Sequence, residues 1–205
     1  MELDRYRTIK GEAAAKLTRR GSRFIGIAYP VESLEEVKRR LAEAGRPYRD
    51  ATHRCSAYRL LTERGIVARG DDAGEPARSA GPPILRVIEG RDLLNILVIV
   101  VRYFGGTKLG IGGLIRAYGD AAKEALAQTE IVERARTVKL RIRYPPELFG
   151  KVMRLLNRYG AEVEEVAYSE RPTLTATLSL SHSEEFRRAL KEVTSGRVEF
   201  LPRRE

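Results

Sequence analysis

The sequence predicts an α+β protein of two domains, residues 1–132 and 133–205. Two observations carry that expectation. Leu93 to Val101 is an almost unbroken Ile/Val/Leu run, interrupted by Asn95 alone, as expected of a strand covered on both faces. After Ile131–Arg136 the unusual glycine and acidic clusters cease, and a plain succession of strand and helix patterns takes over.

In the first domain, Phe24, Ile25, Ile27 and Ala28 mark a strand. Ser33 and Glu36 have capping-box spacing for a helix whose Leu34, Val37, Leu41 and Ala44 share one face, with Gly45 at its end. Ala51 to Leu61 reads as a strand and Pro83 to Gly90 as a short helix. Leu93 to Phe104 is the central strand; a glycine-rich turn follows, then a helix from about Leu114 to Gln128.

The second domain reads more simply. Val138, Leu140 and Ile142 alternate with Lys139, Arg141 and Arg143, the period of a half-buried strand. Pro145 and Pro146 open a helix carrying Leu148, Val152, Leu155, Leu156 and Tyr159, which Gly160 stops. Val163 and Val166 mark a second strand, and Leu174, Ala176, Leu178 and Leu180 a third. Ser181 or Ser183 is placed to cap a helix with Phe186, Leu190 and Val193, and Val198 to Leu201 forms a last strand. The order βαββαβ is that of a ferredoxin-like domain.

Composition narrows the function classes. Thirty-eight Lys and Arg against 28 Asp and Glu leave a formal charge of +10, shared as +6 and +4 between the domains, which favours a polyanionic partner such as nucleic acid, with a protein-interaction module whose basic surface meets an acidic partner as an alternative. The longest apolar run is about half the ~18 residues of a membrane helix. With a charged N-terminus (Glu2, Asp4, Arg5, Arg7) and no signal core, the expectation is a cytoplasmic protein without a membrane partner. One cysteine, Cys55, excludes an internal disulfide and a Cys-rich zinc site, and no cofactor is expected.

Two segments carry chemistry. The first runs Arg102-Tyr103-Phe104-Gly105-Gly106-Thr107-Lys108-Leu109-Gly110-Ile111-Gly112-Gly113. Glycines between a strand and a helix bring backbone N–H groups to a phosphate, with the helix N-terminus adding positive potential. Arg102, Lys108 and Arg116 supply charge; Tyr103 and Phe104 offer rings to bases. The segment is no Walker loop, since Ile111 stands where Lys is needed, and no dinucleotide fingerprint, since Ile115 replaces the third glycine. The same glycines would serve tight packing equally well.

The second is Asp71-Asp72-Ala73-Gly74-Glu75-Pro76 through Pro83. Asp71, Asp72 and Glu75, with His53, suit a divalent cation or acid–base work in a hydrolase, or else a loop braced by its own hydrogen bonds. His53 and Cys55 share one side of a strand, the minimum for a Cys–His pair, while His182 reads as surface. Lys16, Arg19, Arg20 and Arg23 form a basic run that either steers a polyanion or is a solvated face.

Together, Ser22-Arg23-Phe24, Ala51-Thr52-His53 with Tyr58, the Asp71–Pro83 segment and above all Arg102 through Tyr118 resemble the IMPACT/YigZ family, over about residues 15–128. The resemblance implies a first domain folded like a small-subunit ribosomal protein domain and a domain of elongation factor G, followed by a smaller ferredoxin-like domain. It also implies a non-enzymatic protein that binds RNA, the ribosome or a translation-machinery protein and regulates translation or a stress response. Eukaryotic relatives damp a kinase acting on an initiation factor through an additional protein-binding domain, a partnership not expected here. The chain departs from the family's Asp-Asp-Gly-Glu-Pro by the inserted Ala73, and Arg78-Ser79-Ala80-Gly81 replaces a Gly-Thr-Ala-Gly stretch. A catalytic loop tolerates such an insertion poorly, since misplacement by ~1 Å costs ~100-fold in rate.

Overall fold

A computed structural model describes residues 4–62 and 64–202; Glu2 of the charged N-terminus lies outside them. The chain divides into two compact units, residues 7–133 and residues 134 onward joined by the segment through Tyr6. That last grouping differs from a simple cut near 132. β1 (Arg5–Ile9) pairs with β7 (Ile131–Ala135) as a two-stranded ribbon, and Arg136 N donates to the Asp4 carbonyl at 2.7 Å, which ties the first residues to the second unit.

The first unit contains β2 (Ala13–Arg19), β3 (Ser22–Pro30), α1 (Leu34–Gly45), β4 (His53–Thr62), β5 (Gly65–Asp71), α2 (Gly81–Gly90), β6 (Ile96–Tyr103) and α3 (Gly110–Ala127). Its five strands form one sheet in the order β2-β3-β6-β4-β5, and every neighbouring pair is antiparallel. β6 lies at the centre, and its period-2 alternation feeds two cores. Ile96, Val98 and Val100 pack with Phe24, Cys55, Ala57 and the inner faces of α2 and α3, while Leu97, Ile99 and Val101 pack with Ile25, Ile27 and Val37 on the other side. Burial on both faces explains why this segment has no polar alternation.

β6 starts three residues later than the apolar run. Asn95 adopts a positive φ of 55°, its carbonyl accepts from Val31 N at 2.9 Å, and its side-chain oxygen accepts from Leu61 N at 2.8 Å. Ser33 caps α1 as expected, accepting from Glu36 N at 3.1 Å, but Glu36 returns its bond to Glu32 N. β1, β2, β5 and β7 have no counterpart in the sequence reading. β2 and β5 are sheet edges: all but one residue of β5 are exposed, while β2 turns Ala13, Ala15 and Leu17 inward but opens on three alanines, which hide that alternation in the sequence.

In the second unit, β8 (Thr137–Arg143), a 3₁₀ turn (Pro146–Leu148) running into α4 (Phe149–Arg158), β9 (Glu162–Ala167), β10 (Thr173–Ser179), α5 (Leu180–Val193) and β11 (Glu199–Leu201) follow the βαββαβ order. The sheet order β11-β8-β10-β9, antiparallel throughout, is the ferredoxin-like arrangement. Leu140, Ile142, Leu174, Ala176 and Leu178 bury one face of it against Val152, Leu156, Phe186 and Leu190. α5 begins at Leu180, before the expected serine caps; Ser179 holds the N-cap position and pairs with the Ser181 hydroxyl at 2.8 Å.

Candidate functional site

The glycine turn is held against the β2–β3 hairpin by the smallness of its residues. A Cβ on Gly105 would lie 2.0 Å from the Gly21 carbonyl carbon, so two backbones meet where no side chain fits. The buried Ser22 hydroxyl accepts from Gly105 N at 3.1 Å, and Thr52 Oγ1 accepts from Phe104 N at 3.0 Å. This contact places the tip of the hairpin, Arg19 to Arg23, beside the turn. Arg19 approaches Asp120 at 3.5 Å, and Arg23 lies 4.7 Å over the Tyr103 ring. Arg20, Lys108 and Arg116 are exposed and have no carboxylate partner among the described residues.

Beyond the turn, α3 starts at Gly110, four residues earlier than expected, and takes Gly112 and Gly113 into its first turn. No side chain among the described residues caps it, and no acidic residue lies in that turn, so its first N–H groups stand at the exposed, positive end of an 18-residue helix. Gly106 and Gly110 have positive φ, 85° and 71°, which shapes the turn between Gly105 and the helix.

Arg102 is placed differently from the sequence expectation. It points into the protein, its side chain 7% exposed, and donates to Glu75 Oε1 at 2.6 Å; Tyr118 OH donates to the same oxygen at 2.7 Å. A guanidinium enclosed in this way grips no surface phosphate. Tyr103 is also engaged: its hydroxyl donates to Asp50 at 2.9 Å, and Arg23 covers its ring. The Asp50 bond, followed by partial burial, raises its ionisation above the usual phenol range. Phe104 is the ring of this pair left half-exposed, 47%, with Arg102 5.5 Å from its centre.

The acidic loop is organised by its own carboxylates. Asp72 accepts three backbone N–H bonds, from Ala80 and Gly81 on one oxygen (2.9 and 2.8 Å) and from Arg78 on the other (2.6 Å). Burial would raise its ionisation, but these bonds and the Arg78 charge outweigh it and hold the carboxyl below the usual range. Asp71 accepts from Ala73 N at 2.9 Å, the short side chain closing a tight turn in which the inserted Ala73 takes φ 42°.

Glu75 turns inward, its side chain 2% exposed, with His53 Nε2 4.0 Å from its second oxygen. His53 Nδ1–H donates to the Ala73 carbonyl at 3.0 Å, and Cys55 Sγ donates to the Asp72 carbonyl at 3.0 Å. Burial pushes the Cys55 thiol up to about 12, against a smaller opposing effect of Tyr118 and with the Glu75 and Asp72 charges adding to it. Such a thiol is not a nucleophile at neutral pH.

The period-2 expectation that His53 and Cys55 face one side therefore holds, but both brace the loop and neither activates the other. No group of three or more His, Cys, Asp and Glu side chains is arranged for a metal ion among the described residues; Asp72 accepts on both oxygens and Glu75 accepts from Arg102 and Tyr118 on Oε1. His182 is exposed and stacks edge-on to Tyr159, 6.2 Å between centres. Sequence reasoning overlooked Ser22 and Thr52 as anchors of the turn; their hydroxyls next to strand starts were the available signal. It noted Arg19, Arg20 and Arg23 without the means to bring them to the glycines, 82 or more residues away in sequence.

Residues 20–126 match the family described as Impact N-terminal domain, and residues 137–202 match the one described as Elongation factor G C-terminus. The chain is 32% identical over 195 residues to the IMPACT family member YvyE of Bacillus subtilis, covering 95% of this chain and 89% of that one. It is 43% identical over 149 residues to a Thermus thermophilus IMPACT family member, covering 73% and 79%. A crystal structure of a hypothetical protein superposes over all of both chains with a TM-score of 0.74 at 24% identity, a likeness of fold.

Proposed function

The chain belongs to the IMPACT family, and on that premise we propose that it is a non-enzymatic RNA-binding regulator of translation that engages RNA, free or on the ribosome, through the glycine turn. The observation that carries this reading is the junction at Gly21 and Gly105. It holds the hairpin tip with Arg20 beside the turn that carries Lys108, while the Arg116 guanidinium reaches back to Gly112 at the uncapped start of α3, and Gly106, Gly110, Gly112 and Gly113 leave the backbone there open to an anion. Phe104 is the exposed ring for a base to stack on. The net charge of +10 and a second unit matched to the C-terminus of a translation factor support the same partner class.

Lys108 and Arg116 act on phosphate and read no sequence. Replacing both with Ala weakens single-stranded RNA binding alike for all sequences and makes the log–log salt slope shallower by about 0.7 per lost contact. Anisotropy titrations of a labelled oligouridine at several salt concentrations measure both quantities. Unchanged affinity and slope would leave the glycines as packing devices only.

A further inference from the structure

α2 and α3 pack against the sheet with their inner faces and leave an open groove of about 520 Å³ between their outer faces. Its floor is apolar, made by Pro83, Val87 and Gly90 of α2 and by Ile115 and Gly119 of α3, positions one helical turn apart on each helix. Ile111, 60% exposed, continues the α3 line one turn upstream. Along α3 from Ile111 to Lys123 this strip is ~18 Å long at ~1.5 Å per residue, three turns of a partner helix.

Gly119 needs a separate explanation. Glycine inside a helix is less favourable than alanine by ~1 kcal/mol. Here the fold does not ask for it: φ is not positive, and a Cβ would find its nearest neighbour, Val87 Cγ2, at 4.0 Å. What the missing side chain preserves is the depth of the groove. The rim is cationic: Arg86, Arg91, Arg116 and Lys123 surround one carboxylate, Asp120, which is shared between Lys123 at 3.6 Å and Arg19 at 3.5 Å. Arg91 also donates to the Lys123 carbonyl at 3.5 Å; Arg86 has no ion-pair partner among the described residues. No aromatic side chain among the described residues lines the groove, so it offers a nucleic acid no aromatic stacking surface, whereas aliphatic floor and basic rim complement a peptide carrying apolar anchors among carboxylates.

We propose that the α2–α3 groove is a docking site for an acidic amphipathic segment of a partner protein, its apolar side chains seated over Gly119 and its carboxylates on Arg86, Arg91 and Lys123. The site lies along the outer faces of α2 and α3 and meets the phosphate cradle at the start of α3, through Ile111 and Arg116. Charge steers the encounter and the apolar floor provides selectivity against uniformly acidic chains.

The test uses the full chain and a fluorescein-labelled 14-residue peptide of Leu at i, i+3, i+4 and i+7 spacing with Glu elsewhere. A control peptide carries Ser for each Leu, and a labelled 12-nucleotide oligouridine reports the cradle. Anisotropy titrations are expected to show the Leu/Glu peptide binding at least tenfold more tightly than the Ser/Glu peptide. Gly119→Leu, which fills the floor, and the exposed pair Arg86→Glu with Lys123→Glu should each weaken the Leu/Glu peptide at least tenfold and leave oligouridine affinity within about twofold for Gly119→Leu. The charge-reversed pair keeps the test decisive if Gly119→Leu does not fold. Equal binding of the two peptides, or undiminished Leu/Glu binding in the charge-reversed pair, overturns the proposal. Loss of oligouridine binding in a folded Gly119→Leu overturns it in favour of RNA in the groove. Failure of oligouridine to bind the wild type bears on the cradle alone.

Discussion

The acidic loop and the glycine turn have similar compositions, glycines punctuating charged residues, yet they use their charges in opposite directions. In the loop, Asp72 binds three backbone N–H groups, and Glu75 binds Arg102 and Tyr118 beneath the surface. In the turn, Lys108 is exposed, as is Arg116 a turn into the following helix, and the packing is done by glycine backbone. One segment is held together by charge and the other by the absence of side chains. A charged group that already has short, well-aligned partners has little left for a ligand, so the glycine turn, not the acidic loop, is the binding candidate.

The largest consequence falls on Glu75. Removing it strands Arg102, whose Nε already lacks a partner, in a buried position. Glu75→Ala should destabilise the first unit by ~3–5 kcal/mol in urea unfolding, the range for breaking a buried ion pair from one side. A loss below ~0.5 kcal/mol would mean that the pair holds nothing together. Gly105→Ala comes next. Its methyl would overlap the Gly21 backbone, which has no rotamer to yield, and ~1–3 kcal/mol is expected for forced overpacking. Oligouridine binding should fall with it if the hairpin tip belongs to the cradle; a stable variant with intact binding would separate hairpin from turn.

Asp72→Asn has a smaller effect with a distinctive pH dependence. The carboxyl ionises below its ordinary value in the folded chain, so its contribution is fully present above the unfolded-state value and is lost as pH falls through the folded-state value. The variant should be ~1–3 kcal/mol less stable at neutral pH, because a side-chain amide cannot accept all three N–H bonds. Its stability should also change less than the wild type's on acidification, as melting curves from pH 7 downward would show. Parallel acid limbs for the two proteins would assign the loop's order to something other than the Asp72 charge. The smallest stability effect belongs to the Lys108→Ala/Arg116→Ala pair, expected within ~0.5 kcal/mol of wild type, as for exposed residues without partners. A larger drop would move these residues from the binding side of the comparison to the packing side.

Long periodic segments were legible in the sequence, and weakly patterned ones were not. Alternation at Val138–Ile142 and Leu174–Leu178 and the apolar run of β6 were enough for the βαββαβ order and a central strand, because burial on a regular lattice imprints its period on composition. β5 is exposed along nearly its whole length and carries no such imprint, and in β2 the alternation of Ala13, Ala15 and Leu17 with outward residues is masked because Ala14 is also an alanine. The glycine turn and the acidic loop were both visible as candidates, and Lys108 and Arg116 stand outward as their charge suggested.

What the sequence could not determine was direction and company. Whether Arg102 faces solvent or Glu75 depends on a contact 27 residues away in sequence, and the hairpin tip reaches the glycines only through a strand order in which β3 lies beside β6. Charge and glycine content are local properties, readable one residue at a time. Pairing and close approach are set by the sheet register that brings distant backbones together, and that was decided by the tertiary structure.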